Sequence, residues 1–242
     1  ALPISPLTAK QQEVLPAGVS LYEEYHSHDK TISNGLRGIA GMINSGCDVT
    51  PCIRPNVGTG STPTAFGAVQ EVFEDKMPWV TEHVPLTELD DFDPAAAPDS
   101  DCIKLALARA QYMQEALAGS GITANCWDTQ SPFDVAHLVI GDDIFFAMFD
   151  EPERLKALID KCADMIIRHR RAFYAVTGQD VNFGRDGGNV TMRGGVRLSE
   201  DTLTLLSEEQ LHEFAVPYSR KVLAALGGGF VHYCGRNDHL FD

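Results

Sequence analysis

The sequence predicts an α/β fold built around a parallel sheet, and two patterns carry that expectation. Short runs that suit strands lie at 48–54, 122–128, 190–198 and 230–234, and segments with helical spacing separate them. Parallel neighbours need a long crossover between them, which a helix supplies, so this alternation reads as an open sheet or a barrel. Length is the third observation. The chain has 242 residues, but four or five strand–helix units are visible where a closed (β/α)8 barrel has eight. The expectation is one partial TIM-barrel domain over residues 1–242, truncated at the C-terminus, with 1–46 as an N-terminal helical extension.

Two helices have clear signals. After Asp150-Glu151-Pro152-Glu153, Leu155, Leu158, Ile159, Cys162, Met165, Ile166 and Phe173 recur at helical spacing up to Gly178. Asp150 is the expected cap and Glu153 the residue reaching back in a capping box. Arg168, Arg170 and Arg171 are expected on a solvated face where their charge suits the helix dipole. The second helix opens on Ser207-Glu208-Glu209-Gln210, with Leu206 and Leu211 placed as a hydrophobic staple. Pro217 should kink it near Val216, and Gly227-Gly228-Gly229 stops it. Weaker helical patterns cover 32–45, 62–75 and 101–117.

Composition excludes several classes. Nineteen Lys and Arg stand against 34 Asp and Glu, a formal net charge of −15, so nucleic acid or an anionic membrane would be repelled. No apolar run reaches the roughly 20 residues that span a bilayer, and the reading is a soluble, cytoplasmic protein whose self-association stays open. The six cysteines, at 47, 52, 102, 126, 162 and 234, form no C-x-x-C pair and are expected to be reduced and mostly buried. The acidic stretch 87–101 is expected as a solvated loop.

His232-Tyr233-Cys234-Gly235 is the strongest chemical signal. Alternate residues of a strand share a face, so an imidazole and a thiol project together at the strand's C-terminal end, where active sites of parallel α/β folds lie. Such a pair is half of a zinc site, and packing of a buried His beside a buried Cys is the competing reading. Cys126, Asp128 and Gln130 share parity at the end of another candidate strand. There Asp128 either serves the chemistry or caps the next helix, and Gln130 is a candidate substrate contact. Arg54 and Asn56, beyond the first strand, are further candidates for substrate binding. Glu200 and Asp201 fall where a third strand gives way to a loop, with Asp201 taken as a catalytic candidate; adjacent carboxylates point apart in extended chain. The Gly58-Thr59-Gly60-Ser61-Thr62-Pro63 stretch fails both nucleotide-loop patterns, and His26 and His28 read as surface residues.

The stretches "PCIRPNVGTGSTPTAFGA", "MPWV", "DTQSPFDVAHLVIGDDIFFAMFDEPERLKALI", "GGVRLSEDTLTLLSEEQLHEFAVPY" and "GGGFVHYCGRNDHL" resemble the uroporphyrinogen decarboxylase superfamily, closer to its corrinoid and thiol methyltransferase branch. The resemblance covers residue 49 to the C-terminus and implies a (β/α)8 barrel. In that branch an H-x-C histidine and cysteine bind zinc together with a distal cysteine. His232 and Cys234 match the motif, the distal cysteine has no counterpart in this chain, and Cys126 is the substitute weighed for it.

What the resemblance implies is a zinc-dependent transfer of a methyl group between a corrinoid, methylcobalamin on a separate corrinoid-carrying protein, and a small thiol. Cofactor-free decarboxylation of a tetrapyrrole is the rival of the same fold, although no paired-arginine signature accompanies Arg54. A non-catalytic binding or assembly fragment is the rival of another class.

Overall fold

The computed structural model describes residues 7–15, 17–46, 50–185 and 191–236. Cys47, Asp48, Val49 and Val190, which belong to the sequence expectations, lie outside them.

Four short parallel segments form the wall on which everything else is hung. β1 (Cys52–Ile53) pairs with β4 (Thr123–Ala124), Cys52 opposite Thr123 and Ile53 opposite Ala124. The chain beyond β4 stays extended, and Gln130 bridges in parallel to Ser199 of β7 (Val196–Ser199). β7 in turn pairs with β8 (Gly229–His232), from Val196 opposite Gly229 to Ser199 opposite His232. The spatial order is therefore β1, β4, β7, β8, each neighbour being the next parallel segment along the chain. Among the described residues β1 and β8 do not pair with each other. Two antiparallel hairpins are inserted between these units: β2 (Val69–Glu71) with β3 (Trp79–Glu82), and β5 (Phe183–Arg185) with β6 (Thr191–Arg193).

Helices fill the crossovers because their apolar stripes need a surface to cover. Helices α1 (Ala9–Val14), α2 (Leu21–His26) and α3 (His28–Asn44) precede β1. α4 (Asp101–Ala116) leads into β4, while α5 (Pro132–Ile140), α6 (Asp143–Asp150) and the long α7 (Pro152–Thr177) lie between β4 and β7. α4 packs on α7, and α7 on α5 and on α9 (Val216–Ala225). Phe133, Leu155, Leu158, Ile159, Ile166 and Leu198 are fully or almost fully buried in the main core between them. A second cluster joins α4 to Cys126, Trp127 and Phe173, and a third joins α3 to Ile53 and Ala124. No helix among the described residues is long and apolar enough to cross a membrane.

Several local expectations hold. Gly178 ends α7 in the left-handed region at φ 67°. Ser207 and Gln210 form a reciprocal capping box opening α8 (Glu208–Gln210), and Leu206 and Leu211 are both buried in the main core. The kink at Pro217 takes the form of a π-helical turn, Leu211–Ala215, which accommodates the missing amide before α9 resumes. Cys52, Cys102, Cys126 and Cys162 are buried free thiols and Cys234 is exposed.

Others need correcting. The N-cap of α7 is Glu151, without a side-chain cap, so neither Asp150 nor Glu153 plays the predicted part. Residues 62–75 are not a helix: Pro63–Phe66 makes one 3₁₀ turn, Gly67 breaks it at φ 101°, and β2 follows. The 190–198 run is two strands interrupted at Gly194, not one. Of the α7 arginines only Arg171 is exposed as expected. Arg170 is buried, donating to the Tyr174 hydroxyl at 2.9 Å and to Gly195 O. Arg168 donates to Pro94 O at 2.6 Å, Ala97 O at 2.8 Å and the Asp99 carboxylate, while Glu88, Asp90, Asp91, Asp93 and Asp101 of the acidic stretch are exposed as expected. His28 is half-buried rather than a surface residue, and its Nδ1 accepts from Arg109 Nε at 3.3 Å. The buried Arg109 also donates to Asn56 O at 2.9 Å and to Tyr25 O, tying the N-terminal helices to the loop after β1.

Candidate metal centre

The C-terminal ends of the wall segments carry most of the candidate residues. Pairing Ser199 with His232 puts the continuation of β7 beside that of β8, which brings Asp201 next to the H-x-C pair. The Asp201 carboxylate accepts the Cys234 backbone N–H at 2.7 Å. Cys234 Sγ lies 3.4 Å from His232 Nε2. One donor atom from each of Asp201, His232 and Cys234 falls within 4.8 Å of the other two. His232 is half-buried and the other two are exposed, so the donor set opens to solvent on one side.

The strand alternation works as expected. Val231 and Tyr233, of the opposite parity, line a cavity of about 390 Å³ with Val216, Ser219 and Leu223 of α9. Glu200 turns towards that cavity and hydrogen-bonds the Ser219 hydroxyl, while Asp201 turns to the donor set, so the adjacent carboxylates do act apart. Burial pushes the Glu200 carboxyl up to about 7.

Asp128 neither caps a helix nor collects loop amides. Its Oδ1 accepts from Arg197 Nη1 at 2.8 Å and from the Ser199 hydroxyl at 3.1 Å, with Arg54 Nη1 at 3.9 Å. Gln130 is buried and joins the wall through its backbone bridge to Ser199. Asn56 is half-buried, donating to Met77 Sδ at 3.5 Å. Cys126 is not a third metal donor: it is buried in the α4–α7 cluster beside Arg170, and burial pushes its thiol up.

Sequence reasoning passed over Arg197 and Asp134. Arg197 is the main partner of Asp128 and sits mid-strand, where nothing local marks it. Asp134 is buried in the first turn of α5, and its carboxylate accepts the backbone N–H of Asp201 at 2.7 Å and of Thr202 at 3.2 Å. The Ser131-x-x-Asp134 spacing, with Ser131 capping the Asp134 amide at 3.2 Å, is the signal that could have found it.

The donor set fits a zinc ion chemically. An imidazole, a thiol and a carboxylate are three of the ligand types zinc takes, and three protein donors leave a fourth position for a substrate. The Asp201 carboxylate is also the first cause of the raised thiol pKa of Cys234, followed by burial. Two groups that repel as anions are held together here, and a divalent cation between them reverses the sign of that interaction.

Comparison with known proteins then places the chain. None of the curated proteins matches it. A solved structure described as a methyltransferase from Methanosarcina mazei is similar in fold, with a TM-score of 0.68 at 14% identity, covering 99% of this chain and 67% of that one. The family described as Uroporphyrinogen decarboxylase (URO-D) matches over residues 60–242, a span that holds Asp128, Gln130, Asp201, His232 and Cys234, and the chain belongs to that family.

Proposed function

We propose that this chain is the zinc-binding part of a methyltransferase of the URO-D family, moving a methyl group between a corrinoid on a partner protein and a small thiol. The observation that carries the reading is the convergence of Asp201, His232 and Cys234 within 4.8 Å at the mouth of the wall. Membership of a family whose fold is a (β/α)8 barrel, and likeness in fold to a solved methyltransferase, support it. On this reading Asp201 offers a third donor beside the H-x-C pair.

Zinc bound there would lower the pKa of a substrate thiol and so provide thiolate near neutral pH. The chain's own residues do the rest. Cys234 must lose its proton to bind, and Asp201, by holding the Cys234 amide, keeps the sulfur turned to the imidazole. Arg197 and Arg54, on either side of Asp128, form a polar rim that orients the acceptor, while Asn56 and Gln130 lie further along the same loops. The acidic surface keeps nucleic acids away without hindering a neutral corrinoid face.

The test is metal content with turnover. The wild-type chain should retain close to one zinc after dialysis, and His232→Ala and Cys234→Ser should lose it together with methyl transfer from methylcobalamin to a thiol, followed by the corrinoid absorbance. A wild type that retains no zinc, with His232→Ala indistinguishable from it, overturns the reading. Release of carbon dioxide from a tetrapyrrole by that metal-free chain would then support the decarboxylase alternative.

A further inference from the structure

We propose that Asp134 is a positioning residue for this centre, fixing the backbone of Asp201 so that the Asp201 carboxylate meets both the Cys234 amide and the donor set. The inference rests on the metal reading above.

The 3₁₀ turn Asp201–Leu205 begins with amides that have no partner inside it. Its own N-cap residue, Glu200, makes no capping bond, because its carboxyl is spent on Ser219. Asp134 fills the gap from a different element. Its two oxygens take Asp201 N at 2.7 Å and Thr202 N at 3.2 Å, and the residue is 4% exposed. Burying a carboxylate is costly unless several donors meet it, and here two backbone amides do so at a helical turn's N-terminus.

The links then run in series across three neighbouring loops. Ser131 caps α5 after β4, Asp134 of that first turn holds Asp201 after β7, and Asp201 holds Cys234 after β8. Asp134 reaches none of the donor atoms itself. Its contribution is to remove the freedom of the turn before a metal arrives, so that binding does not bear that ordering cost.

Titration with cobalt(II), read by the thiolate-to-cobalt absorption in the near ultraviolet, tests this apart from any turnover. The wild type should show the band, and Asp134→Asn should bind about 10- to 100-fold more weakly with the band retained at saturation. In an Asp201→Ala background the same substitution should change affinity by less than about twofold, because its route is gone. Asp134→Glu, which keeps the charge but lengthens the side chain, carries the test if the Asn variant does not melt cooperatively. Wild-type affinity in the Asp134 variants, or equal weakening in both backgrounds, overturns this inference alone. A wild type without the band overturns the metal reading and this inference with it.

Discussion

Arg197 of β7 donates to Asp128, beyond β4, at 2.8 Å, so one ion pair stitches adjacent wall segments at the mouth. Arg54 comes only to 3.9 Å of the same oxygen and is about a third exposed. Asp128→Ala should therefore lower stability by about 1–3 kcal/mol, since it removes the charge-assisted bond from Arg197 and the bond from the Ser199 hydroxyl, whereas Arg54→Ala should cost under about 1 kcal/mol. Thermal melts of the two variants check the order. Equal shifts would mean that Arg54, not Arg197, is the working partner.

Gly229 holds a position in β8 that no other residue fits. Its φ is 152°, and a Cβ there would run into the Val196 carbonyl on the paired strand. Gly229→Ala should cost about 3 kcal/mol or more, because the clash is with backbone that belongs to the ladder and cannot rotate away. Urea unfolding reads this directly, and a midpoint within error of wild type would contradict the register of β7 against β8.

His169 should make the protein acid-sensitive. Its ring is 1% exposed, Nδ1 meets the Thr62 hydroxyl at 3.3 Å, and Nε2 lies 3.8 Å from Asp99. Burial first, and Arg168 second, push its pKa down from 6.5 to about 4. Above pH 6.5 the ring is neutral whether the chain is folded or not. As pH falls below that, the unfolded chain takes up the proton first, and stability drains until about pH 4, for a total of about 3 kcal/mol. His169→Asn lacks that loss, so its deficit relative to wild type should shrink between pH 7 and pH 4.5. An unchanged deficit in urea midpoints at the two values would count against a neutral buried ring.

Much of this architecture was readable because periodicity and caps are local. α3, α4 and α7 fall close to the segments with helical spacing, and Ser207 with Gln210 marks the next helix start. α5 and α6 escaped because Phe133–Ile140 and Ile144–Phe149 are apolar almost throughout, which blurs any stripe. The 62–75 error came from counting apolar spacing across Pro63 and Gly67, two residues that end helices. At the site, His232 and Cys234 share a strand face and could be paired from sequence. Asp201 could be placed at a strand end but not at their side, because that contact spans 33 residues and depends on β7 pairing with β8. Arg197 acts across elements with nothing in its immediate neighbours to announce it, and the Ser131-x-x-Asp134 spacing marks a helix start without showing that Asp134 reaches Asp201.

The order β1, β4, β7, β8 also bears on how the protein is made. Each segment finds its neighbour already in place when it leaves the ribosome, so the wall can grow by templated addition, one strand–helix unit at a time. The donor cluster then forms only after all four segments, since it waits for the emergence of β8, and a nascent chain should remain blind to metal until Asp201, His232 and Cys234 have all been synthesised.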